Sequence, residues 1–308
     1  TVDLDAFGSA IKVTTGDTYS PLLIETDITR LERFALMQGE DFLLVEPNIT
    51  RKDRTLTLDI EYKLSNGPRV FVERIDIKGN ATTLDKVIRR QFNVVEGDPF
   101  NPREIRQSAE RIKALGYFSQ SKVEPREGSS PDQVIIDVSV VERPTGSLGF
   151  GGTYASTTGL GAEISFEEGN FLGRGQAIGI AVSTAQTNKK LEFSFRDPAF
   201  LGRNLSAGLE LGYVSYTYDN VSFNSSATSF SPSVGFPLTE YSALNLSYNL
   251  AMSKVASDRT SGLIFDELDE GEVLTSSIAV RYTYDNRRKG LNNNSGYLVQ
   301  LGQEFGGF

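Results

Sequence analysis

The sequence predicts two tandem α+β domains followed by an antiparallel transmembrane β-barrel that is incomplete, with about nine strands present. Three observations carry that prediction. Charge-rich, helix-patterned sequence gives way near Pro144 to Gly, Ser, Thr, Asn, Tyr and Phe. Before that point, segments recur at offsets of 81 and 78 residues, a spacing that suits tandem small domains. After it, alternating runs are separated by turn residues, and Phe-Leu-Gly-Arg occurs at Phe171–Arg174 and again, 29 positions on, at Phe200–Arg203.

The first part is expected to hold two copies of one unit, over residues 1–67 and 68–143. "GDTYSP" from Gly16 returns as "GDPFNP" from Gly97; Ile24 and Leu31 find partners in Ile105 and Ile112; "LTLDIEY" from Leu56 returns in kind as "VIIDVSV" from Val134. In the second copy, "VFVERIDIKGN" alternates and closes on Gly-Asn, a strand entering a turn. "TTLDKVIRRQF" then places Leu84, Val87, Ile88 and Phe92 on one helical face. A second helix is announced by Asn101 as N-cap, Pro102 at the first helical position and Glu104 as the return partner of a capping box. Its buried face should be Ile105, Ala109, Ile112 and Leu115, with Gly116 ending it. Two strands finish the unit. The first copy begins mid-domain, so its opening strand and helix are expected to be missing or degenerate.

The barrel is expected over residues 144–308. If both Phe-Leu-Gly-Arg copies are hairpin turns, 29 residues hold two strands of about 10 to 12 residues and one opposite turn, enough to cross a bilayer at a tilt. The two turns then share one rim. Apolar residues alternate through Leu191–Phe195, Leu205–Tyr213, Leu244–Met252 and Ile278–Tyr284. A soluble sandwich alternates too, but with strands of about 5–6 residues. An open sheet edge in hydrocarbon leaves unpaired backbone groups, so nine strands imply part of something longer.

Composition narrows the chemistry. A net charge of −9 argues against a nucleic-acid partner, and the chain has no Cys, His or Trp. Without Cys there is no disulfide or thiolate site. Without His the commonest general base and zinc ligand are gone, so neither catalysis nor a cofactor is expected. "TVDLDAFGSA" is not a signal peptide, and no run of 18 apolar residues offers a transmembrane helix. "FDELDEGE" (Phe265–Glu272) lacks the spacing of a calcium loop and reads as a solvated connection. "DNRRKG" (Asp285–Gly290), with its basic cluster Arg287–Lys289, reads equally as a contact for acidic head groups or as a periplasmic turn.

With "IDIKGNATT", "EGDPFN" and "RIKALGYFSQSKVEP", the repeated unit resembles the POTRA (polypeptide-transport-associated) domain. "VVERPTGSLGFGGTYASTTGLGAEISFEEGNFLGRGQ" (Val140–Gln176), "RDPAFLGRNLS" and "YTYDNRRKG" resemble the BamA family of outer-membrane insertases. That resemblance implies POTRA domains in the periplasm feeding a barrel in the bacterial outer membrane. It also implies unfolded outer-membrane protein clients, accessory BAM lipoproteins (BamD-like) and outer-membrane lipid as partners. Relative to the family, the chain shows fewer POTRA units and lacks the C-terminal half of the barrel with its Val-Arg-Gly-Phe loop.

Client binding is expected on the first barrel strand: Thr145, Gly146, Ser147, Leu148, Gly149, Phe150, Gly151, Gly152, Thr153 and Tyr154. Its glycines weaken pairing, and a sheet edge templates another strand. The opposing reading is that the glycines only permit curvature at the seam. By resemblance, Glu96 contacts an accessory lipoprotein; a solvated loop carboxylate is its plain alternative. A polypeptide-secreting transporter of the same superfamily (two-partner secretion or TamA-like) is the competing function.

Overall fold

A computed structural model of the chain describes residues 4–40, 42–54, 56–67, 69–156, 159–217, 223–239, 241–257, 272–287 and 296–307. Residues 265–271 of the carboxylate-rich run, 288–290 of the basic turn, "YDNVS" at 218–222 and parts of the "ASTTG" and "PLTEY" turns lie outside them. The chain forms two compact units. One comprises Thr1–Gly79, Arg89–Ala114 and Gln120–Val140; the other comprises Asn80–Ile88, Leu115–Ser119 and Val141–Phe308.

The first repeat consists of α1 (Leu4–Ala10), α2 (Pro21–Met37), β1 (Leu43–Lys52) and β2 (Thr57–Asn66). The two strands pair antiparallel as a two-stranded sheet. Among the described residues no strand precedes β1, but the opening helix expected to be missing or degenerate is present as α1, which stands 81 residues before the first helix of the second repeat. Phe7, Ile24, Ile28, Leu31, Ala35, Leu43 and Val45 form its buried core. Asp27, only 1% exposed, sits among them. Its carboxylate accepts from the backbone N–H of Lys12 and Val13 and from Arg30, the pairing a buried charge requires.

The second repeat consists of β3 (Phe71–Lys78), α3 (Asp85–Arg89), α4 (Pro102–Ala114), β4 (Phe118–Glu127) and β5 (Gln133–Glu142). Its sheet runs β3-β5-β4, with β3 and β5 parallel. The duplication is visible atom by atom at the 81-residue offset. Gly16 and Gly97 have φ of 100° and 97°, conformations that suit glycine. Asp17 Oδ2 accepts from Thr14 N–H and Asp98 Oδ2 from Val95 N–H, each at 2.8 Å. Both long helices start on proline, at Pro21 and Pro102.

Three expectations for this repeat need correction. The first helix is one short turn, Asp85–Arg89, leaving Leu84 41% exposed; Leu84 N–H instead donates to Gly173 O. Asn101 Oδ1 caps α4 through Arg103 N–H at 2.9 Å, but Glu104 accepts from Asn93 rather than completing the box. On α4, Ile105 and Ile112 are buried as expected, whereas Ala109 is half-buried and Ser108 is fully buried; Leu115, half-buried, falls just past the helix end. Ser108 can occupy that position because its hydroxyl donates to Glu104 O and accepts from Arg111. Ser108 and Arg111 stand at the positions equivalent to Asp27 and Arg30.

The second unit is dominated by a nine-stranded antiparallel sheet in chain order. Its strands are β6 (Gly146–Ala155), β7 (Gly159–Phe171), β8 (Gln176–Ala185), β9 (Asn188–Asp197), β10 (Ser206–Thr217), β11 (Phe223–Pro237), β12 (Ser242–Ser257), β13 (Glu272–Asp285) and β14 (Leu298–Gly306). Registers place Leu191, Phe193 and Phe195 opposite Val182, Ile180 and Ile178 on one side, and opposite Tyr213, Leu211 and Leu209 on the other. The apolar sets therefore merge into one continuous face, and many of its members are exposed, Leu148, Ile164 and Leu191 among them. Exposed apolar surface on that scale is what lipid, not water, accommodates. Among the described residues no helix is long and apolar enough to cross a membrane.

The opposite face is concave, polar and small. Five cross-strand pairs there set a glycine against a serine: Gly149–Ser165, Gly179–Ser194, Gly208–Ser233, Gly212–Ser229 and Gly235–Ser206. In each, the serine hydroxyl occupies the space a Cβ would need, 2.5–2.6 Å from it. The alternation seen in the sequence is thus apolar outside and Gly/Ser inside.

Candidate functional site at the first barrel strand

β6 carries all but one of the residues expected to hold a client; Thr145 precedes it. The strand is an edge of the sheet and pairs, among the described residues, with β7 alone. Leu148, Phe150 and Tyr154 share the apolar face and are 59%, 75% and 79% exposed. Ser147, Gly149, Gly151 and Thr153 alternate with them.

The four glycines are not equivalent. A Cβ on Gly146 would lie 2.9 Å from a Glu168 carboxylate oxygen, and one on Gly149 2.6 Å from Ser165 Oγ. At Gly151 and Gly152 a Cβ would meet nothing closer than 3.9 Å, and neither residue has positive φ. Packing therefore asks for glycine at the first two positions and not at the second two. What Gly151 and Gly152 do is lower strand stability, by roughly 0.5–1 kcal/mol each relative to alanine. The weakness is not expressed as a broken ladder: β6 and β7 pair in unbroken register from Gly146–Glu168 to Ala155–Gly159. The irregularity falls instead between β7 and β8, at Glu168/Phe171.

That irregularity leads to a contact the sequence reading missed. At the foot of β7, Asn170 is 7% exposed, and its amide donates to the Thr83 hydroxyl at 2.9 Å while its Oδ1 accepts from Gly175 N–H at 2.7 Å. Gly173 O accepts from Leu84 N–H at 2.8 Å. Gly173 has φ of 69°, and a Cβ there would sit 1.9 Å from Thr82 O, so only glycine fits. Glu142 holds the other side of the same loop, accepting from the N–H groups of Thr82 and Thr83 at 2.9 and 2.6 Å. Burial works to raise the Glu142 carboxyl, but the bonds from Thr83 and Thr82 outweigh it and hold the carboxyl below its ordinary value. Glu168 ties in the start of β6, accepting from the Thr145 hydroxyl and from Asn170 N–H. The first Phe-Leu-Gly-Arg turn is thus latched to the 80–84 loop beside the candidate strand.

The second copy has the same backbone and no such latch among the described residues. Leu172 and Leu201 have φ of 53° and 55°, unusual for leucine. Gly173 and Arg174 N–H donate to Asn170 and Phe171 O at 2.9 and 3.1 Å, and Gly202 and Arg203 N–H to Ala199 and Phe200 O at the same distances. The turns join β7 to β8 and β9 to β10, so they share one rim, as the 29-residue spacing requires.

Glu96 lies apart from this cluster. Its carboxylate accepts from Arg89 at 3.0 Å and from Ile75 N–H at 3.3 Å, while the side chain stays 50% exposed. It is therefore not a free loop carboxylate. Beside it, Val95 is 64% exposed.

The model described as the Omp85 superfamily domain matches residues 170–308. Residues 170–308 are an Omp85 superfamily domain. Ahead of the Omp85 domain, the POTRA model, described as a surface antigen variable number repeat, matches residues 70–143. "Outer membrane protein assembly factor BamA" of Buchnera aphidicola subsp. Acyrthosiphon pisum is 25% identical over 80% of this chain and 40% of its own length. Its counterpart in Neisseria meningitidis serogroup B is 30% identical over 62% of this chain and 25% of its own. The chain thus spans well under half the length of these curated relatives. The crystal structure of Haemophilus ducreyi BamA lacking POTRA domains 1–3 superposes with a TM-score of 0.63 at 19% identity, covering 99% of this chain and 62% of that one. CdiB from Escherichia coli gives 0.55 at 13% identity, over 99% and 56%; both establish the fold. The chain is BamA-like, with the POTRA repeat of residues 70–143 in the periplasm and an Omp85 domain in the outer membrane.

Proposed function

We propose that this chain is the barrel-proximal part of an assembly factor that folds outer-membrane β-barrel proteins by templating their strands on β6. The observation that carries the reading is a sheet edge with two glycines, Gly151 and Gly152, that packing does not demand. A client strand adds to that edge through backbone hydrogen bonds, so sequence-diverse clients are accepted and no covalent chemistry is needed. Leu148, Phe150 and Tyr154 meet lipid alongside the client's own apolar side chains. The latch at Asn170 and Gly173 fixes the foot of the neighbouring hairpin, so β6 opens against a held partner. Unfolded outer-membrane proteins are the clients. Glu96, with exposed Val95 beside it, is offered to an accessory lipoprotein that would draw on a carboxylate already paired with Arg89.

The test is site-specific photocrosslinking in the full-length protein. Probes at Ser147, Phe150 and Gly152 should capture an arrested client, while probes at Asn249 on the concave face should not. Capture only at Asn249 would favour the transporter reading, in which the polypeptide passes through the lumen.

A further inference from the structure

We propose that the repeated Phe-Leu-Gly-Arg turns are phospholipid anchors, pressing leucine into the periplasm-facing leaflet while arginine meets the headgroup phosphates. The inference goes beyond strand templating and needs only the membrane barrel.

Latching accounts for Asn170 and Gly173 of the first turn. It leaves Leu172 and Arg174 unexplained, and it explains nothing in the second. Leu172 and Leu201 are 65% and 78% exposed. Both are held in the left-handed region, which disfavours a side chain bearing a Cβ. Leu56 of the first repeat is equally strained and exposed, so strain alone selects no partner. What sets Leu172 and Leu201 apart is their repetition in one hydrogen-bonded turn geometry on a single rim of the sheet. Arg174 and Arg203 are exposed, and neither side chain has a partner among the described residues.

Three arguments select lipid as the occupant. The second turn continues the lipid-facing surface, because the last apolar pair before it is Phe195 opposite Leu209. Phe200, 39% exposed, extends that surface into the turn. The next turn on the same rim, between β11 and β12, again exposes a leucine, Leu238 at 55%. Leucines displayed on three successive hairpins match a partner that surrounds the rim, as a bilayer does, better than a partner that docks at one point. Charge agrees: an arginine without a partner among the described residues, two residues from a leucine immersed in lipid, suits the anionic phosphate just above the acyl chains. The second turn is also rigid. Asp197 accepts from Ala199 N–H at 2.9 Å and from Gln176 at 2.7 Å, and Phe200 N–H donates to Leu205 O at 2.9 Å.

The test is depth measurement by electron paramagnetic resonance on full-length protein in phosphatidylethanolamine/phosphatidylglycerol vesicles. This chain has no cysteine, so Leu201→Cys and, separately, Phe200→Cys take a nitroxide at a defined place. Leu56→Cys, on an 82% exposed turn of the first repeat, is the aqueous control. The anchor predicts that labels at 201 and 200 are several-fold more accessible to oxygen, relative to a water-soluble nickel chelate, than the label at 56. It also predicts that Arg203→Glu lowers this ratio, and lowers it more in the anionic vesicles than in pure phosphatidylcholine, whose phosphates are offset by choline. Labels at both 200 and 201 that behave like the one at 56, or that become shielded only when another protein is added, overturn the proposal. A ratio that Arg203→Glu leaves unchanged in both lipids overturns the headgroup contact.

Discussion

Asn170 ties two parts of the chain together: one amide joins Thr83 on the 80–84 loop to Gly175 within its own turn. Replacing it by alanine leaves the Thr83 hydroxyl, on a residue 2% exposed, without that partner. A buried group left unpaired costs about 1–3 kcal/mol. Asn170→Ala should therefore raise amide exchange at Thr82–Leu84 while sparing β8 and β9, which hydrogen exchange resolved by peptide would report. Gly173→Ala should do the same more severely, since the added carbon meets Thr82 O as well as an unfavourable φ. The latch should also respond to acid. With its carboxyl held low in the folded state, Glu142 adds stability that is complete above the ordinary glutamate range of about 4.3. That stability is lost as pH falls through the depressed value. Exchange at Thr82 and Thr83 should accelerate there, and Glu142→Gln should flatten the dependence.

At the scale of elements, the helices and strands were largely legible because their causes are local. Pro102 after Asn101 marks a helix start, and Ile105 and Ile112 mark its buried stripe. Two-residue alternation fixes which face of a strand meets lipid. The short α3 was not legible: Leu84 continues the helical stripe but is drawn out of it by Gly173, a residue almost ninety positions away. Ser108 was missed for a related reason, since serine signals a surface unless the bonds it makes to Glu104 and Arg111 are known. Among the candidate client residues, the sequence showed four glycines without distinguishing the two that packing requires from the two it does not. That distinction yields a test. Gly151→Val with Gly152→Val should strengthen β6–β7 pairing and raise the temperature at which the barrel loses its compact electrophoretic mobility, while slowing client insertion several-fold. Faster insertion with unchanged barrel stability would contradict a loosely paired template. At Gly149 the same change should destabilise, because Ser165 occupies the space.

Across the whole molecule, the two repeats meet through ions. Arg103 on α4 pairs with Glu25 and Glu32 of α2 and reaches Val45 O, and Asn101 also donates to Glu32. The Arg103 and Glu32 side chains are only 20% and 12% exposed, so water competes weakly for these bonds. Arg103→Ala should leave each repeat folded, as judged by circular dichroism, yet broaden the distribution of distances between spin labels placed on α2 and β4. Placement of the repeats follows from side chains that no periodicity reveals, which is why the duplication could be read from sequence and the joint could not. A last consequence follows from what the two look-alike turns do not share. Where the first has Asn170, the second has Ala199. Excising one hairpin of 29 residues would slide the later corner into the earlier one's place, with matching curvature but a methyl group facing Thr83. The leading hairpin therefore bears a chemical address, and a shortened barrel would start out of step with the 80–84 loop that Asn170 recognises.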